Sequence, residues 1–298
     1  MIHVSGLTKQ YGTRVAVDDL TFDVPAGRVT GFVGPNGAGK STTMRMMVGL
    51  TRPDSGQVRY DGVPYTDLKN PARIVGSVLD TRCMHPGRSA FDHLRATAAL
   101  SGIPARRAKE ALAEVGLESA AGERAGKFSL GMRQRLALAA ALLGDPQVLL
   151  LDEPSNGLDP DGIRWLRHHL SDFAGRGGTV FVSSHLISEL SMFADDLVVV
   201  GGGKLLAAES VDAITARNAV SVVVATPQSV ELHALLAQHD LVAERAGDRL
   251  IILGTTRTAV SQIAFDHRIR VDELTETARS LEDSLLDLTS ASAEFASA

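Results

Sequence analysis

Short apolar runs of strand length alternate with segments of helical spacing over the first 209 residues of the chain. The strand-like runs cover residues 2–7, 20–24, 28–33, 57–60, 74–79, 148–151, 178–183, 197–200 and 204–206. Helical spacing of apolar residues follows in 41–50, in most of 89–143 and in 161–173. Runs that are apolar at every position are typical of strands buried on both faces of a parallel sheet. The pattern predicts an α/β domain over residues 1–209, with a helical part at about 86–144.

The last third of the chain has a different order of elements. Strands are predicted at 220–225, 241–245, 249–253 and 269–271, and helices at 230–238, 258–265 and 280–288. The order βαββαβ predicts a small α+β domain of the ferredoxin-like type over residues 210–298. Residues 289–298 are rich in Ser and Ala and are expected to fray.

The stretch after the strand predicted at 28–33 is rich in glycine and carries one lysine. It consists of Gly34, Pro35, Asn36, Gly37, Ala38, Gly39, Lys40, Ser41 and Thr42. This order fits the phosphate-binding loop pattern, in which backbone N–H groups and a helix N-terminus surround phosphates. Lys40 adds a cation for the outer phosphates, and the Ser41 hydroxyl can ligate Mg²⁺. A strand before the loop and a helix after it favour nucleoside triphosphate binding over a chance glycine-rich turn.

Two carboxylates, Asp152 and Glu153, follow the apolar strand predicted at 148–151. The alternation of side chains along a strand sends them to opposite sides. One can then face Mg²⁺ while the other faces the γ-phosphate and its attacking water, a division that phosphoanhydride hydrolysis requires. His185 follows the strand at 178–183, at the strand end where open α/β sheets place ligands. A lone histidine is also often a packed residue, so the residues alone leave its role open.

Three further positions carry less specific patterns. Ser129 is a predicted helix N-cap, and a helix start of this kind offers N–H groups to an anion. Tyr11 is predicted in a polar loop, where it either stacks on a base or plugs the sheet edge. Asp80 follows the strand predicted at 74–79 and opens a loop at 81–88.

Composition places the chain among ordinary soluble proteins, with 44% hydrophobic and 22% charged residues in 298. The formal net charge of -5 provides no basic excess for phosphates, so no nucleic acid partner is expected. Cys83 is the single cysteine, which excludes an internal disulfide and a cysteine-built zinc site. The N-terminus lacks the features of a signal peptide, and no uncharged apolar run reaches the roughly 18 residues of a membrane span. We expect a cytoplasmic protein.

The order of these motifs resembles the nucleotide-binding subunit of ATP-binding cassette (ABC) transporters over residues 1–209. It is most similar to the bacterial drug- and antibiotic-resistance exporters (ABC-2 type), whose ATPase and membrane subunits are separate chains. Residues 280–289 also resemble the end of that branch's accessory domain. The resemblance implies a P-loop NTPase (RecA-like) core with an antiparallel β subdomain and an α-helical subdomain. It further implies an ATPase that uses ATP and Mg²⁺ to export a drug, antibiotic or lipid-like compound.

The resemblance also implies roles for individual residues. Residues 34–42 are the Walker A loop, Tyr11 stacks on adenine, Glu153 is the catalytic carboxylate and His185 is the switch histidine. Mg²⁺ is held by Ser41, Asp152 and Asp80, and Asp159 belongs to a turn at a dimer interface. Ser129, Leu130, Gly131 and Met132 form the signature motif, which in the family caps the γ-phosphate of the nucleotide held by the opposite subunit.

Two positions depart from the family's pattern. The signature usually reads Leu-Ser-Gly-Gly-Gln, whereas residues 128–132 read Phe-Ser-Leu-Gly-Met, which keeps the serine and the second glycine. Asp80 stands where the family has a glutamine. A carboxylate can reach Mg²⁺ through water, but it cannot donate a hydrogen bond as glutamine does.

By the same resemblance, two copies of the chain share two ATP sites in a head-to-tail dimer. An integral-membrane permease docks near residues 83–88, which places the protein on the inner face of the cell membrane. The alternatives are the ATPase of a solute importer, a non-transport ABC protein of translation or DNA repair, and a P-loop kinase. The short C-terminal extension argues against the importer. A single P-loop without sustained heptads argues against the second alternative, and Ser129 and His185 argue against the kinase.

Overall fold

The computed structural model describes residues 1–80, 84–217 and 220–278 of the chain. These residues form two compact units, one ending at Val211 and the other beginning at Asp212. Within the described ranges, none of the helices combines the length and the apolar character that crossing a bilayer requires.

The first unit contains all of the strands predicted between residues 2 and 206. In chain order the strands are β1 (Ile2–Tyr11), β2 (Arg14–Val24), β3 (Val29–Val33), β4 (Ser55–Tyr60), β5 (Val63–Pro64), β6 (Val75–Val78), β7 (Val148–Leu151), β8 (Thr179–Ser184), β9 (Asp196–Gly201) and β10 (Lys204–Ser210). The helices are α1 (Lys40–Met47), α2 (Ala90–Leu100), α3 (Arg106–Glu114), α4 (Leu130–Leu142), α5 (Pro160–Gly175), α6 (Ile187–Leu190) and α7 (Val211–Arg217), which crosses into the second unit. Single 3-10 turns occur at Tyr65–Asp67, Pro71–Arg73 and Ala125–Lys127. The short elements β5, α6 and α7 were not predicted.

Six strands form the central sheet in the order β10–β9–β3–β8–β7–β6. The inner strands pair in parallel, whereas β10 returns antiparallel to β9. Every residue of β3, β7 and β8 is buried, as the apolar runs predicted. Parallel strands place their carboxyl ends at one edge of the sheet. The residues that follow β3, β7 and β8 therefore meet at that edge.

A smaller antiparallel sheet, ordered β2–β1–β4–β5, packs beside the central one. Phe22 of β2 lies against Phe32 of β3 and Phe181 of β8, with ring centroids 5.8 and 5.7 Å apart. Met44 and Met47 of α1 are fully buried in the same core. Burial of these large apolar side chains is the main stabilising contribution, and it fixes α1 and β3 on either side of the glycine-rich loop.

Helices α2, α3 and α4 pack against one another, and α4 also packs on β6. The Ser89 hydroxyl caps α2 by accepting a hydrogen bond from the backbone N–H of Asp92 at 3.0 Å. Ser129 is the N-cap of α4, as predicted. All four residues of 136–139 in α4 are buried. Residues 136–142 are all Leu or Ala, and a stretch of helix that is apolar on all sides lies inside the protein, so this part of α4 is the inner helix of the layer.

The second unit has the predicted βαββαβ order. Its elements are β11 (Val220–Ala225), α8 (Ser229–Gln238), β12 (Ala243–Ala246), β13 (Arg249–Leu253), α9 (Arg257–Asp266) and β14 (Glu273–Ala278). The strands pair antiparallel in the order β12–β13–β11–β14. Alternate residues of β11 and β13 point to one core under the helices, among them Val222, Val224, Leu250 and Ile252. This is the ferredoxin-like arrangement of strands and helices.

The strand predicted at 269–271 is wrong. The backbone N–H of Arg270 donates to the side chain of Gln228, and its carbonyl accepts from the hydroxyl of Thr226. With both backbone groups bonded to side chains, residue 270 cannot join the ladder. Pairing with β11 begins instead at Glu273. The helix predicted at 280–288 and the tail at 289–298 lie outside the described residues.

Candidate active site

The glycine-rich loop runs from the end of β3 into α1, and α1 begins at Lys40, one residue earlier than predicted. A Cβ atom at Gly34 would lie 2.2 Å from the carbonyl oxygen of Val200 on β9. One at Gly39, whose φ is 101°, would lie 2.5 Å from the carbonyl oxygen of Ala16 on β2. L side chains rarely adopt such a φ. Glycine at both positions therefore lets the loop lie directly against β2 and β9.

The Lys40 side chain is buried, with 6% of the residue exposed. Its Nζ donates to the carbonyl oxygens of Gly34 at 2.7 Å and Pro35 at 3.4 Å, and lies 3.5 Å from Oε1 of Glu153. A buried ammonium group needs such partners, because removing it from water is costly. The cation is thus held between the loop and the end of β7.

The loop opens onto a cleft of about 500 Å³, a volume that suits a nucleotide. The cleft is lined by Tyr11, Arg14, Ala16, Asn36, Gly37, Ala38, Gly39, Lys40, Ser41, Thr42, Glu153, Asn156 and His185. The structure thus brings together residues that lie up to 174 positions apart, since 185 minus 11 is 174. Gly34 and Pro35 are not among the lining residues; their carbonyl oxygens face Lys40 instead.

Glu153 and His185 are in direct contact in this cleft, with Nδ1 of His185 2.7 Å from Oε2 of Glu153. An ionised carboxylate only accepts hydrogen bonds, so we assign the hydrogen to Nδ1 as the donor. The other ring nitrogen, Nε2, is then left for another contact. Each oxygen of Glu153 therefore faces a different nitrogen, since Oε1 lies near Lys40.

The expected separation of Asp152 and Glu153 by strand alternation needs a correction. Strand β7 ends at Leu151, and Glu153 has a φ of 50°, in the left-handed region. A turn, rather than the pleat of a strand, therefore directs the two carboxylates. Non-glycine residues seldom adopt this conformation, and such residues are frequent at functional sites.

Ser183 of β8 organises the two acidic residues and was not identified from the sequence. Its hydroxyl donates to Oδ1 of Asp152 at 2.6 Å and accepts from the backbone N–H of Glu153 at 2.9 Å. Ser183 is fully buried. A polar residue at an inner position of an apolar strand, two residues before His185, was the available indication. The hydroxyl therefore fixes the carboxylate of Asp152 and the backbone of Glu153.

Tyr11 is the last residue of β1 and not part of a loop, which corrects the sequence-based expectation. Its ring is 51% exposed and lines the cleft. Lys9 places its Nζ 5.5 Å from the ring centroid of Tyr11 and 2.9 Å from Asp54. The hydrogen bond from Lys9 lowers the pKa of the Asp54 carboxyl. These contacts hold the exposed ring at the mouth of the cleft.

Arg14 and Asn156 were also missed by the sequence analysis. Arg14 begins β2 and directs its guanidinium to the carbonyl oxygen of Gly37 at 3.5 Å. It adds a second cation to the cleft beside Lys40. Its position three residues after Tyr11, directly after the turn between β1 and β2, could have indicated that Arg14 lies near the cleft. Asn156 reaches the cleft from the turn that follows Glu153.

The predicted signature residues lie away from the cleft lining. The Ser129 hydroxyl accepts a hydrogen bond from the backbone N–H of Met132 at 3.2 Å, which caps α4. Leu130 is 47% exposed at the first position of the helix. Within one copy, Ser129, Leu130, Gly131 and Met132 are therefore not part of the same pocket as the glycine-rich loop.

Asp159 is the N-cap of α5, where its Oδ1 accepts from the backbone N–H of Gly162 at 2.8 Å. The helix accordingly begins at Pro160, one residue before the predicted start. Asp159 ends a turn that opens at Glu153 and includes Asn156. The turn links the candidate catalytic carboxylate to α5.

Asp80 lies in a second cleft, of about 280 Å³, rather than in the first. This cleft is lined by Arg45, Leu50, Ser77, Val78, Leu79, Asp80, Met84, His93, Ala137 and Ala140. Burial, with a smaller contribution from Arg88, lowers the pKa of His93. The lining is largely apolar, and Leu50 is 71% exposed. This second cleft lies between the central sheet and the helices α2 and α4.

The oxygen ligands available near the loop are of the kind that Mg²⁺ prefers. Ser41 lines the first cleft, and Asp152 lies behind it, bonded to Ser183. Throughout residues 1–80, 84–217 and 220–278, no group of three or more His, Cys, Asp or Glu side chains is placed to hold a metal. Mg²⁺ commonly uses one or two carboxylates together with phosphate oxygens and water. The residues therefore fit the ion in company with a nucleotide.

Comparison with known proteins agrees with this geometry. The ABC transporter family matches residues 17–156, and a family described as a domain of unknown function matches residues 220–282. The chain is 35% identical to an uncharacterized ABC transporter ATP-binding protein, YhcH of Bacillus subtilis, over 97% of this chain and 96% of the relative.

Two further proteins are similar over 73% and 71% of the chain. The bacitracin transport ATP-binding protein BcrA of Bacillus licheniformis is 41% identical over 73% of this chain and 72% of its own length. A solved dimeric bacterial ABC transporter cassette superimposes with a TM-score of 0.65 at 25% identity, covering 71% of this chain and 99% of the cassette. The chain therefore belongs to the ABC transporter family, as one of its ATP-binding, ATP-hydrolysing proteins.

Proposed function

We propose that ATP hydrolysis by this chain drives export of a drug, an antibiotic or a lipid-like compound through a separate membrane permease. The observation that carries the proposal is the position of the Glu153 carboxylate, between Lys40 and His185 in the cleft of the glycine-rich loop. The similarity to a bacitracin transport protein supports the compound class.

The cleft residues divide the work of binding ATP. Backbone N–H groups of residues 36–42 and the start of α1 surround the phosphates, and Lys40 and Arg14 supply positive charge. Tyr11 offers its exposed ring to the adenine base. Ser41 and Asp152 would hold Mg²⁺. The ion would neutralise charge on the β- and γ-phosphates.

Glu153 acts as the base in hydrolysis. Water attacks the γ-phosphorus, the bond to the β-phosphate oxygen breaks, and Glu153 accepts the proton that the water loses. His185 donates Nδ1–H to Glu153, which orients the carboxylate; in the doubly protonated imidazolium form its Nε2–H can also donate to the γ-phosphate. Ser183 fixes the backbone of Glu153, which restricts the positions that the carboxylate of Glu153 can take.

A second copy of the chain completes each site. Ser129 and Gly131 lie at the N-terminus of α4, which carries a partial positive charge suited to a phosphate. They lie outside their own copy's cleft. In a head-to-tail dimer, the helix start of one copy, with residues 129–132, caps the nucleotide of the other, and Asp159 lies at the interface. ATP then stabilises the closed dimer, and hydrolysis releases it.

The permease docks at the second cleft. Its apolar lining and the exposed Leu50 suit a short helix, and Arg45, Asp80 and His93 provide polar contacts. Docking there places the protein on the inner face of the cell membrane as a peripheral subunit. Nucleic acid is not a partner, since the net charge of -5 gives no basic surface excess.

The test is to express the chain with the polytopic membrane protein encoded beside its gene. We expect the two proteins to purify together and Mg²⁺-dependent ATP hydrolysis to be retained. Lys40→Ala should abolish hydrolysis and spare the complex, because Lys40 lies in the first cleft and not in the second. A chain that hydrolyses ATP but never associates with a membrane protein would contradict the transport function.

A further inference from the structure

Tyr11 lies at a strand end that the antiparallel sheet supports on one side. It is the last residue of β1 and pairs with Arg14 of β2 across the turn at residues 12–13. On the other side of β1, pairing with β4 stops at Thr8, because β4 begins at Ser55. Within the described part of the chain, no second strand therefore pairs with the end of β1 that carries the ring.

Asp54, the residue before β4, supports this strand end in place of a second strand. Its backbone N–H donates to the carbonyl oxygen of Thr8 at 2.9 Å. One oxygen of its carboxylate accepts from the backbone N–H of Gln10 at 2.7 Å, and the other accepts from Nζ of Lys9 at 2.9 Å. An ionised carboxylate has acceptor sites for both donors. One side chain thus fixes the backbone before Tyr11 together with the side chain of Lys9.

Lys9 in turn covers one face of the Tyr11 ring. Side chains two positions apart on a strand point to the same side of the sheet, and Nζ of Lys9 lies 5.5 Å from the ring centroid. A cation within about 6 Å of a ring centroid is attracted by the π electrons of the ring. The Lys9 side chain is 15% exposed, whereas Tyr11 is 51% exposed and lines the ATP cleft. With the ammonium group over one face, the opposite face of the ring is left for a base.

We propose that Lys9 and Asp54 are positioning residues for nucleotide binding, which hold the Tyr11 ring so that its opposite face stacks on the base of ATP. The inference rests on the proposed function, which places adenine on Tyr11. An exposed ring that is free to rotate loses that freedom when a ligand binds, whereas a ring that is already held does not. Lys9 is not among the residues that line the cleft. The pair therefore raises ATP affinity through the base and not through the phosphates.

The chemistry of the two contacts decides which substitutions test them. Lys9→Met removes the charge and keeps an unbranched side chain, whereas Lys9→Arg keeps a cation that can bind Asp54 and lie over the ring. Asp54→Ala removes the anchor without any change at Lys9, so it tests the pair independently. Lys204→Met is the matched control, because Lys204 lies 3.5 Å from Asp18 in an exposed pair of the same unit and does not line the cleft.

The experiment titrates the full chain by calorimetry with MgATP and with magnesium tripolyphosphate, which has the phosphates but no base. For Lys9→Met and Asp54→Ala we expect ATP affinity to fall by about two- to fivefold, the size of an exposed cation–π contact. Their affinity for tripolyphosphate should stay unchanged. Lys9→Arg and Lys204→Met should bind both ligands as the unchanged chain does. Equal losses of affinity for ATP and tripolyphosphate would overturn the inference, since Lys9 would then act on the phosphates.

A second set of variants tests whether Lys9 acts through the ring. In a chain that carries Tyr11→Ala, Lys9→Met should lower ATP affinity no further, because the ring that it holds is gone. A further fall of the same size would overturn the positioning role. If Tyr11→Ala alone leaves ATP affinity unchanged, the adenine stacking of the proposed function fails and the inference fails with it. If Tyr11→Ala weakens ATP binding and Lys9→Met does not, the inference alone fails.

Discussion

His185 and Glu153 lie 32 positions apart in the chain, yet the imidazole Nδ1 of one is 2.7 Å from a carboxylate oxygen of the other. Adjacent parallel strands produce this contact, because β7 and β8 end at the same edge of the sheet. The second oxygen of Glu153 faces Lys40 of the glycine-rich loop. The Glu153 carboxylate, which follows β7, thus connects three segments of the cleft by contacting His185 after β8 and Lys40 of the glycine-rich loop.

The first prediction concerns this carboxylate. Glu153→Gln should lower ATP turnover by about 100-fold or more, because the amide cannot accept the proton from water. ATP binding should persist, and the dimer should be trapped with ATP, which size-exclusion chromatography would detect. Glu244→Gln, at an exposed position of β12, is the matched control. Turnover equal to that of the unchanged chain would remove Glu153 from the mechanism.

A second prediction follows from the hydroxyl of Ser183. Ser183→Ala removes the donor to Asp152 and leaves the N–H of Glu153 without its acceptor. Unpaired buried groups of this kind cost about 1–3 kcal/mol of unfolding free energy, which urea denaturation would measure. We also expect lower kcat with little change in ATP affinity.

The matched control for Ser183 is Ser229→Ala, since Ser229 is a buried serine of the second unit that donates to Gly247. It should lower stability without lowering kcat. If Ser183→Ala and Ser229→Ala leave kcat equally unaffected, Ser183 is a structural residue only.

The strands of the central sheet could be predicted because most of them are short, mainly apolar runs. Such a run is fully buried only in a sheet that is covered on both faces. The loop at 34–42 follows from local chemistry alone. Ser183 could not be predicted with the same confidence as Glu153, because a serine within a strand has no spacing pattern. Its role depends on β7 and β8 lying side by side, which only the folded sheet provides.

The errors in the second unit have a similar cause. The apolar residues within 269–271 predicted a strand. The backbone N–H and carbonyl of Arg270 are instead hydrogen-bonded to the side chains of Gln228 and Thr226. Those partners lie more than 40 positions away, since 270 minus 228 is 42. Helix α7 was missed because only one of its residues with a described side chain, Ile214, is buried, so no apolar spacing marks it.

A third prediction distinguishes the two roles that the sequence allowed for Tyr11. A ring that is 51% exposed at the cleft mouth can stack on adenine, whereas a plug would be buried. Tyr11→Ala should weaken ATP binding by about five- to 100-fold, and Tyr11→Phe should keep it, because stacking needs only the ring. Calorimetric titration with ATP would measure both. Lower thermal stability of Tyr11→Ala with unchanged ATP affinity would support the plug instead.

The last prediction uses Trp165, the single tryptophan of the chain, as a reporter of α5. Its ring stacks on His169, with ring centroids 5.4 Å apart, and the guanidinium carbon of Arg135 from α4 lies 4.1 Å from the centroid of the indole ring. Burial, followed by the charge of Arg176, lowers the pKa of His169 below its ordinary value of 6.5. Among the described residues, its Nε2 atom has no hydrogen-bond partner to favour the protonated form.

The sign of the pH effect follows from this lowered pKa. Between the folded pKa and 6.5 the unfolded chain binds the proton more readily, so stability is full above pH 6.5 and falls as pH drops below it. Protonated imidazole quenches indole fluorescence, so Trp165 emission should hold steady above pH 6.5 and decline with a midpoint below it. His169→Gln should abolish the decline, and His239→Gln in the second unit should retain it. A midpoint at or above 6.5, or a decline that survives His169→Gln, would show that the stacked histidine is not the titrating group.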